Sequence, residues 1–261
     1  MSAEMSRLKK LRCRLRLRTR ARESYYRVLR RFGFLGQEWD KGLPEELQAW
    51  ELMLKDNGRN WVEYRSRLDP ESELQDEYKR LIGAQPGNHP IRVLDVGAGP
   101  LTSLGKKWAG RTIQIFPVDP LAREYSALLS RLGLQAPVPS QPGQGEKLLD
   151  LFEKNSFDFV LASNSLDHSC DPMLVIRQMI SVLKPQCYVY LGHFVNEGIA
   201  AGYTGLHQWN FSIKRGDMIL SDGRNRSYSL RNEFEGVASL ECEFQQWVGR
   251  PAVIGKLRKC S

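Results

Sequence analysis

Val93-Leu94-Asp95-Val96-Gly97-Ala98-Gly99-Pro100 reads as a short buried strand running into a glycine turn. Apolar residues fill the strand, and Gly97 and Gly99 punctuate its end. Glycine in such a turn can take positive φ and lets a ligand approach the backbone with no Cβ in the way. A helix-like run then spans Leu101 to Trp108. A helix there would aim unpaired N–H groups at the same spot. Strand, loop and helix together predict the first unit of a nucleotide-type site.

Two acids sharpen this expectation. Asp95 lies two residues before Gly97, at the end of the strand. Asp119 ends the next apolar run, Ile113 to Val118, at the spacing of a carboxylate that accepts both hydroxyls of a ribose. Here the chain resembles the class I S-adenosylmethionine-dependent methyltransferases, in the first motif from Asp95 to Gly99 and in Asp119. Downstream, Phe157 to His168 is similar to the family's fourth strand and the loop after it, and Leu183-Lys184-Pro185 to its turn into the fifth. The resemblance runs roughly from Tyr64 to the C-terminus. It implies S-adenosyl-L-methionine as cofactor, held by Asp95, Gly97, Ala98, Gly99, Asp119, Gln144, Gly145, Glu146 and Asn164. Gly143 to Leu148 resembles the segment that faces adenine, with Gln144 where the family usually has an acid. The rival class is an NAD-dependent oxidoreductase. That fingerprint wants a third glycine where Thr102 stands, and it has no need of an acid at Asp95. A cofactor-binding module without catalysis is the remaining alternative.

The implied fold is α/β and Rossmann-like: a mostly parallel seven-stranded sheet with an antiparallel C-terminal strand, helices on both faces, and an N-terminal helical extension. The chain divides into a basic arm (1–33), a helical cap (34–88) and a methyltransferase domain (89–261). With 261 residues it is long enough for one large domain plus that extension. No apolar run is long enough to span a bilayer, and the basic start is not followed by an apolar core as in a secretory signal. The cysteines (Cys13, Cys170, Cys187, Cys242, Cys260) form no C-x-x-C pair or zinc spacing and read as reduced thiols of a cytoplasmic protein.

The net charge of +8 is concentrated at one end. Residues 1–31 hold 12 of the 38 Lys/Arg and 2 of the 30 acids, which leaves the body with 26 bases and 28 acids. Arginine occupies every even position from Arg12 to Arg22. The alternation is strand-like while the residue types favour helix, so the segment reads as one that orders on contact. Residues 7–31 would suit an anionic membrane surface. RNA phosphates, a solvated tail and an organelle-targeting segment are the competing readings, and RNA would make the chain an RNA methyltransferase recruited by its arm. A body that binds duplex nucleic acid across its own face would more often be basic itself.

The rest of the chain follows in order. Tyr25 to Gly83 reads helical, with a helix start at Pro44-Glu45-Glu46 and another helix over Glu71 to Leu81. Packing onto the domain and a lid over the pocket both suit this part. Beyond the first unit, Thr112 to Val118 reads as the second strand and Leu121 to Leu132 as its helix. A short third strand is expected at the start of the Ala136 to Gly145 loop, with the fourth strand over Phe157 to Ser163. Asp171-Pro172 caps a helix to Leu183. Tyr188 to Phe194 reads as the fifth strand and Asn196 to Asn210 as a substrate-facing loop. Val237 to Gln246 and Ala252 to Leu257 read as a terminal antiparallel pair.

Ligands of open α/β sheets lie beyond the carboxyl ends of the strands. That places Asn164 to His168, His193 to Glu197 and His207 near the transferred methyl. A hydroxyl acceptor must also lose a proton, which a positioned base assists by roughly 10²–10⁴-fold. His168 has the right ordinary pKa for that base, Asp167 beside it can orient it, and His193 and His207 are further candidates. Packing and helix-entry roles suit the Leu166-Asp167-His168 triplet equally. Asp167, His168, His193 and Glu197 could also hold a divalent ion, although no ligand spacing demands one. Family motifs for DNA amino-methylation (Pro-Pro-aromatic after the fourth strand), cytosine C5 methylation (Pro-Cys) and protein arginine methylation (a paired-glutamate hairpin) are missing from the sequence. An O- or N-methyltransferase for a small molecule, sugar or lipid-linked glycan is left, with hydroxyl transfer expected.

Overall fold

The structure, a computed structural model, describes residues 38–58, 61–83 and 89–261. The basic arm and the expectations attached to it lie outside the described residues. Helix α1 is Glu38–Gly58, α2 is Tyr64–Leu68 and α3 is Asp76–Ile82. Strand β1 is Ile91–Val96, followed by β2 (Ile113–Asp119), helix α4 (Ala122–Arg131) and the two-residue strand β3 (Gln141–Pro142). A 3-10 turn at Gly145–Asp150 leads to β4 (Phe157–Ser163), and a second at Leu166–His168 leads to α5 (Pro172–Val182) and β5 (Leu183–Phe194). Then come α6 (Glu197–Ala200), β6 (Trp209–Lys214), β7 (Asp217–Asp222), β8 (Ser227–Ser229), α7 (Leu230–Glu233), β9 (Ala238–Trp247) and β10 (Arg250–Lys259).

Seven strands form one sheet in the order β3-β2-β1-β4-β5-β10-β9. Strands β1 to β5 are parallel, and β10 runs antiparallel between β5 and β9. Central β4 is buried on both faces, as a parallel strand under two helical layers must be, which explains its unbroken apolar run. One face is covered by α5, with Val175, Ile176, Met179 and Ile180 against Leu94, Val160 and Leu191. On the other face α3 sets Tyr78 and Ile82 against Phe159 and Tyr190. Asp171 caps α5 as its sequence suggests, its side chain accepting from Leu174 N at 3.0 Å.

Two local expectations are corrected and one unread region is filled in. Leu101 to Trp108 is an irregular loop, not a helix. Ser72 O accepts from the amides of Lys106 and Lys107, and Leu74 N donates to Lys107 O at 2.7 Å, so the loop backbone bonds to segment 72–74 instead of to itself. A Cβ on Gly105 would lie 1.9 Å from Glu73 O, so the two backbones touch there. Pro44 lies inside α1, which begins at Glu38. The region after Asn210 holds a three-stranded antiparallel sheet, β6-β7-β8, which the sequence reading did not resolve. Its Trp209, Phe211, Met218 and Leu220 join the main core.

Candidate active site

Strands β1, β2, β4 and β5 end on the same side of the sheet, and their final residues build the site from the backbone outward. After β1, Gly97 and Gly99 both take positive φ, 71° and 65°. Gly97 N and Ala98 N donate to Val118 O, which pins the loop to β2. A side chain at Gly97 would collide with Ser165, whose Oγ donates to Val96 O at 2.9 Å. Without a following helix, the loop offers no helix N-terminus to a ligand.

Asp119 ends β2 beside the glycine turn. Its Oδ2 accepts from Gly99 N at 3.0 Å and its Oδ1 from Leu121 N at 2.9 Å. Burial pushes its carboxyl up to about 6 despite those two donors. Each oxygen keeps a lone pair, so two further hydroxyl donors would suit it. Asp95 is engaged by its own loop. It is 2 % exposed and accepts from Thr102 Oγ1, so it ties β1 to the irregular loop. Burial likewise raises its carboxyl to about 6.

The expected adenine segment is the 3-10 turn, where Gln144 is exposed and Glu146 Oε1 accepts from Cys170 N and Asp171 N. Gly145 lies close against Val175 and Val96, with no room for a Cβ. Asn164 takes a left-handed conformation, φ 49°, and its side chain accepts from Phe194 N. It therefore couples the ends of β4 and β5.

Beyond β4 the 3-10 turn Leu166–His168 buries Asp167 to 1 % exposure. Asp167 Oδ2 lies 2.6 Å from His207 Nδ1 and 3.4 Å from His168 Nε2. His168 Nε2 and His207 Nδ1 are 2.9 Å apart. His207 is set in place by its neighbour: Gln208 N donates to Asp167 O at 2.9 Å, and the Gln208 amide donates to the carbonyls of Tyr203 and Gly205. Burial would raise the Asp167 carboxyl, but the two imidazoles hold it down at about 2. Burial opposes protonation of His207, yet its bond to Asp167 and that carboxylate's charge raise it above the ordinary histidine value. His193, expected near the chemistry, is 1 % exposed, and its ring stacks on Phe211 at 3.9 Å. Burial lowers its imidazole to about 4, so it is a neutral ring behind the cluster.

Helix α1 closes this end of the sheet. The Trp50 indole lies over the glycine turn, with Cζ2 2.8 Å from where a Gly99 Cβ would stand. Trp50 Nε1 donates to Glu46 Oε1, and Glu46 Oε2 lies 3.8 Å from His168 Nδ1. Leu54 packs with Tyr64, Leu101, Leu128 and Leu129. The sequence reading gave Glu46 only a place in a helix start and assigned neither it nor Trp50 a role at the site. Their spacing of four residues on one helix was the available signal.

The class is defined by the sheet order, the glycine turn and the carboxylate at the end of β2: a Rossmann-like domain of methyltransferase type. Residues 94–191 match the family model described as a methyltransferase domain. Over that stretch the chain carries an S-adenosylmethionine-dependent methyltransferase domain, with S-adenosyl-L-methionine as methyl donor. A chain from the complex between the Haloferax volcanii Trm112 methyltransferase activator and a methyltransferase is similar in fold, with TM-score 0.52 and 14% identity, over 82% of this chain and 98% of that one. The methyltransferase CalH, solved with S-adenosylhomocysteine, is similar with TM-score 0.50 and 15% identity, over 81% of this chain and 61% of that one. Among curated protein sequences no match is found. No helix among the described residues is long and apolar enough to cross a membrane.

Proposed function

We propose that this methyltransferase acts on a hydroxyl of a small-molecule, sugar or lipid-linked glycan acceptor. The observation that carries this is the Asp167, His168 and His207 cluster beyond β4. The cofactor supplies a methyl already bound to a good leaving group, so the protein's tasks are alignment and removal of one proton. The acceptor oxygen gains the methyl, the donor leaves as its neutral thioether, and the hydroxyl proton is released. In this proposal Asp119 holds the ribose hydroxyls, and the Gly97 to Gly99 turn, packed under Ser165 and Trp50, shapes the backbone beside them. Gly145, Glu146, Gln144 and Asn164 shape the adenine side, and Asp95 acts by holding the loop. The cluster faces the acceptor and draws off its proton, with Glu46 of α1 beside His168. The basic segment 7–31 would bring the enzyme to an anionic membrane surface carrying lipid-linked acceptors.

The test is transfer of labelled methyl from S-adenosylmethionine to an extract separated into small-molecule, glycolipid, RNA and protein fractions, followed by mass spectrometry and NMR of the labelled product. A methyl ether in the small-molecule or glycolipid fraction is expected. Label on nitrogen or carbon, or in the RNase-sensitive fraction, would overturn the acceptor assignment.

A further inference from the structure

We infer that Asp167, His168 and His207 form a binding site for one divalent transition cation, a site whose ligand spacing is invisible in the sequence. Three lone-pair atoms converge: Asp167 Oδ2, His168 Nε2 and His207 Nδ1, at mutual separations of 2.6, 2.9 and 3.4 Å. Ligands bonded to one metal at about 2.0–2.2 Å stand about 3.0–3.5 Å from each other, so small adjustments bring all three into range. The ligands come from two elements 39 residues apart, a 3-10 turn and the loop before β6. The backbone bond from Gln208 N to Asp167 O joins those elements beside the site.

A proton satisfies this arrangement only in part. An imidazole nitrogen carries in its plane either one hydrogen or one lone pair. If His207 Nδ1 is protonated, its single hydrogen goes to the carboxylate at 2.6 Å, and the His168 nitrogen 2.9 Å away is left with only a 3.4 Å approach to the same oxygen. If His207 Nδ1 is bare, its lone pair faces the carboxylate oxygen directly. A cation at the centre would accept all three lone pairs at once.

A second observation is independent of this one. Asp167 Oδ1 is buried and has no hydrogen-bond partner, although the residue is 1 % exposed. A buried carboxylate with an empty oxygen is costly unless a charge compensates it. Both nitrogens of the buried His193 are likewise without a partner. The outer layer is also of the expected kind. With His168 bound through Nε2, its Nδ1 faces Glu46 at 3.8 Å, the carboxylate that would orient a ligating imidazole.

Two imidazoles and one carboxylate favour manganese, iron, cobalt or zinc over magnesium or calcium, which take oxygen ligands. Three protein ligands leave coordination positions open, so an acceptor oxygen could bind beside the transferred methyl and its proton would become more acidic. This use of the cation rests on the hydroxyl-acceptor proposal. The binding itself does not.

The test uses the full chain without an affinity tag, stripped by a chelator and dialysed. Co²⁺ and Zn²⁺ are titrated by calorimetry, with visible absorption recorded for Co²⁺, and S-adenosylhomocysteine affinity is measured on every variant to show that the site end still folds. One equivalent should bind to the wild type, with Co²⁺ giving ligand-field bands of a nitrogen and oxygen site. Asp167→Asn and His207→Gln should lose the bands and weaken binding at least tenfold, and Glu46→Gln should weaken it by about tenfold. Equal binding by wild type and Asp167→Asn, no ligand-field bands, or tighter binding of Mg²⁺ than of Co²⁺ would overturn the inference. Cation binding without methyl transfer to any hydroxyl would leave the site intact and refute the proposed acceptor instead.

Discussion

Replacing Asp119 by asparagine should weaken cofactor binding while sparing the fold. The carboxyl titrates near 6 in the folded chain against an ordinary 3.8, because burial disfavours its charge. A group with a raised folded pKa destabilises the native state once it ionises. The penalty is absent below the unfolded value, grows between the two values, and is complete above the folded one. At neutral pH that difference corresponds to about 3 kcal/mol. Asparagine removes the penalty, but its amide nitrogen must face either Gly99 N or Leu121 N, which leaves one buried donor unpaired at a cost of about 1–3 kcal/mol. The two effects largely cancel, and Tm should move by only a few degrees. Binding has no such compensation. Losing one charge-assisted bond to a ribose hydroxyl and weakening the other should cost about 2–4 kcal/mol, roughly 30- to 1,000-fold in affinity. Calorimetry with S-adenosylhomocysteine and a thermal melt on the same sample read both numbers. Unchanged affinity would refute the ribose role, and a loss of affinity accompanied by a large fall in Tm would make Asp119 a clamp on the glycine turn instead.

Other outcomes follow from the same geometry. Protonation of Asp119 competes with the hydroxyl donors, so affinity for S-adenosylhomocysteine should be flat above pH 7 and about tenfold lower at pH 5; a flat profile in the wild type, or the same slope in Asp119→Asn, would contradict this. Trp50→Ala removes aromatic contacts to Trp61 at 5.5 Å and Tyr125 at 6.2 Å. Loss of about 2 kcal/mol of local packing should speed limited proteolysis within α1 roughly 30-fold, and unchanged cleavage would show that α1 is held elsewhere. Gly105→Ala puts a Cβ 1.9 Å from Glu73 O, so urea unfolding should show a loss of more than about 3 kcal/mol; a loss under about 1 kcal/mol would mean the loop is not held against segment 72–74.

What the sequence disclosed and what it hid divide along physical lines. The glycine turn, the acid closing β2, the apolar run of β4 and the Asp171 cap are local features, and each was legible from a few neighbouring residues. The loop over Leu101 to Trp108 was not, because its apolar spacing suits a helix and only the tertiary contact with segment 72–74 takes its hydrogen bonds elsewhere. The small sheet β6-β7-β8 left a signal that went unread: Trp209, Phe211 and Ile213 alternate, and Arg215-Gly216 supplies two left-handed residues for the hairpin turn. The meeting of His207 with Asp167, and of Trp50 with Gly99, depends on the closed fold and has no local trace. Asp95 illustrates the reverse case, a motif residue whose carboxylate is engaged by its own loop.

The most direct single measurement is transfer of labelled methyl from S-adenosylmethionine into fractionated cell extract by the wild type beside Asp119→Asn and Asp167→Asn. A hydroxyl methyltransferase built as described should label a small-molecule or glycolipid fraction as a methyl ether. Asp119→Asn should recover that labelling at high donor concentration, and Asp167→Asn should fail at any donor concentration while still binding S-adenosylhomocysteine. Full activity of Asp167→Asn, or label confined to RNA or protein, would contradict the assignment of this site.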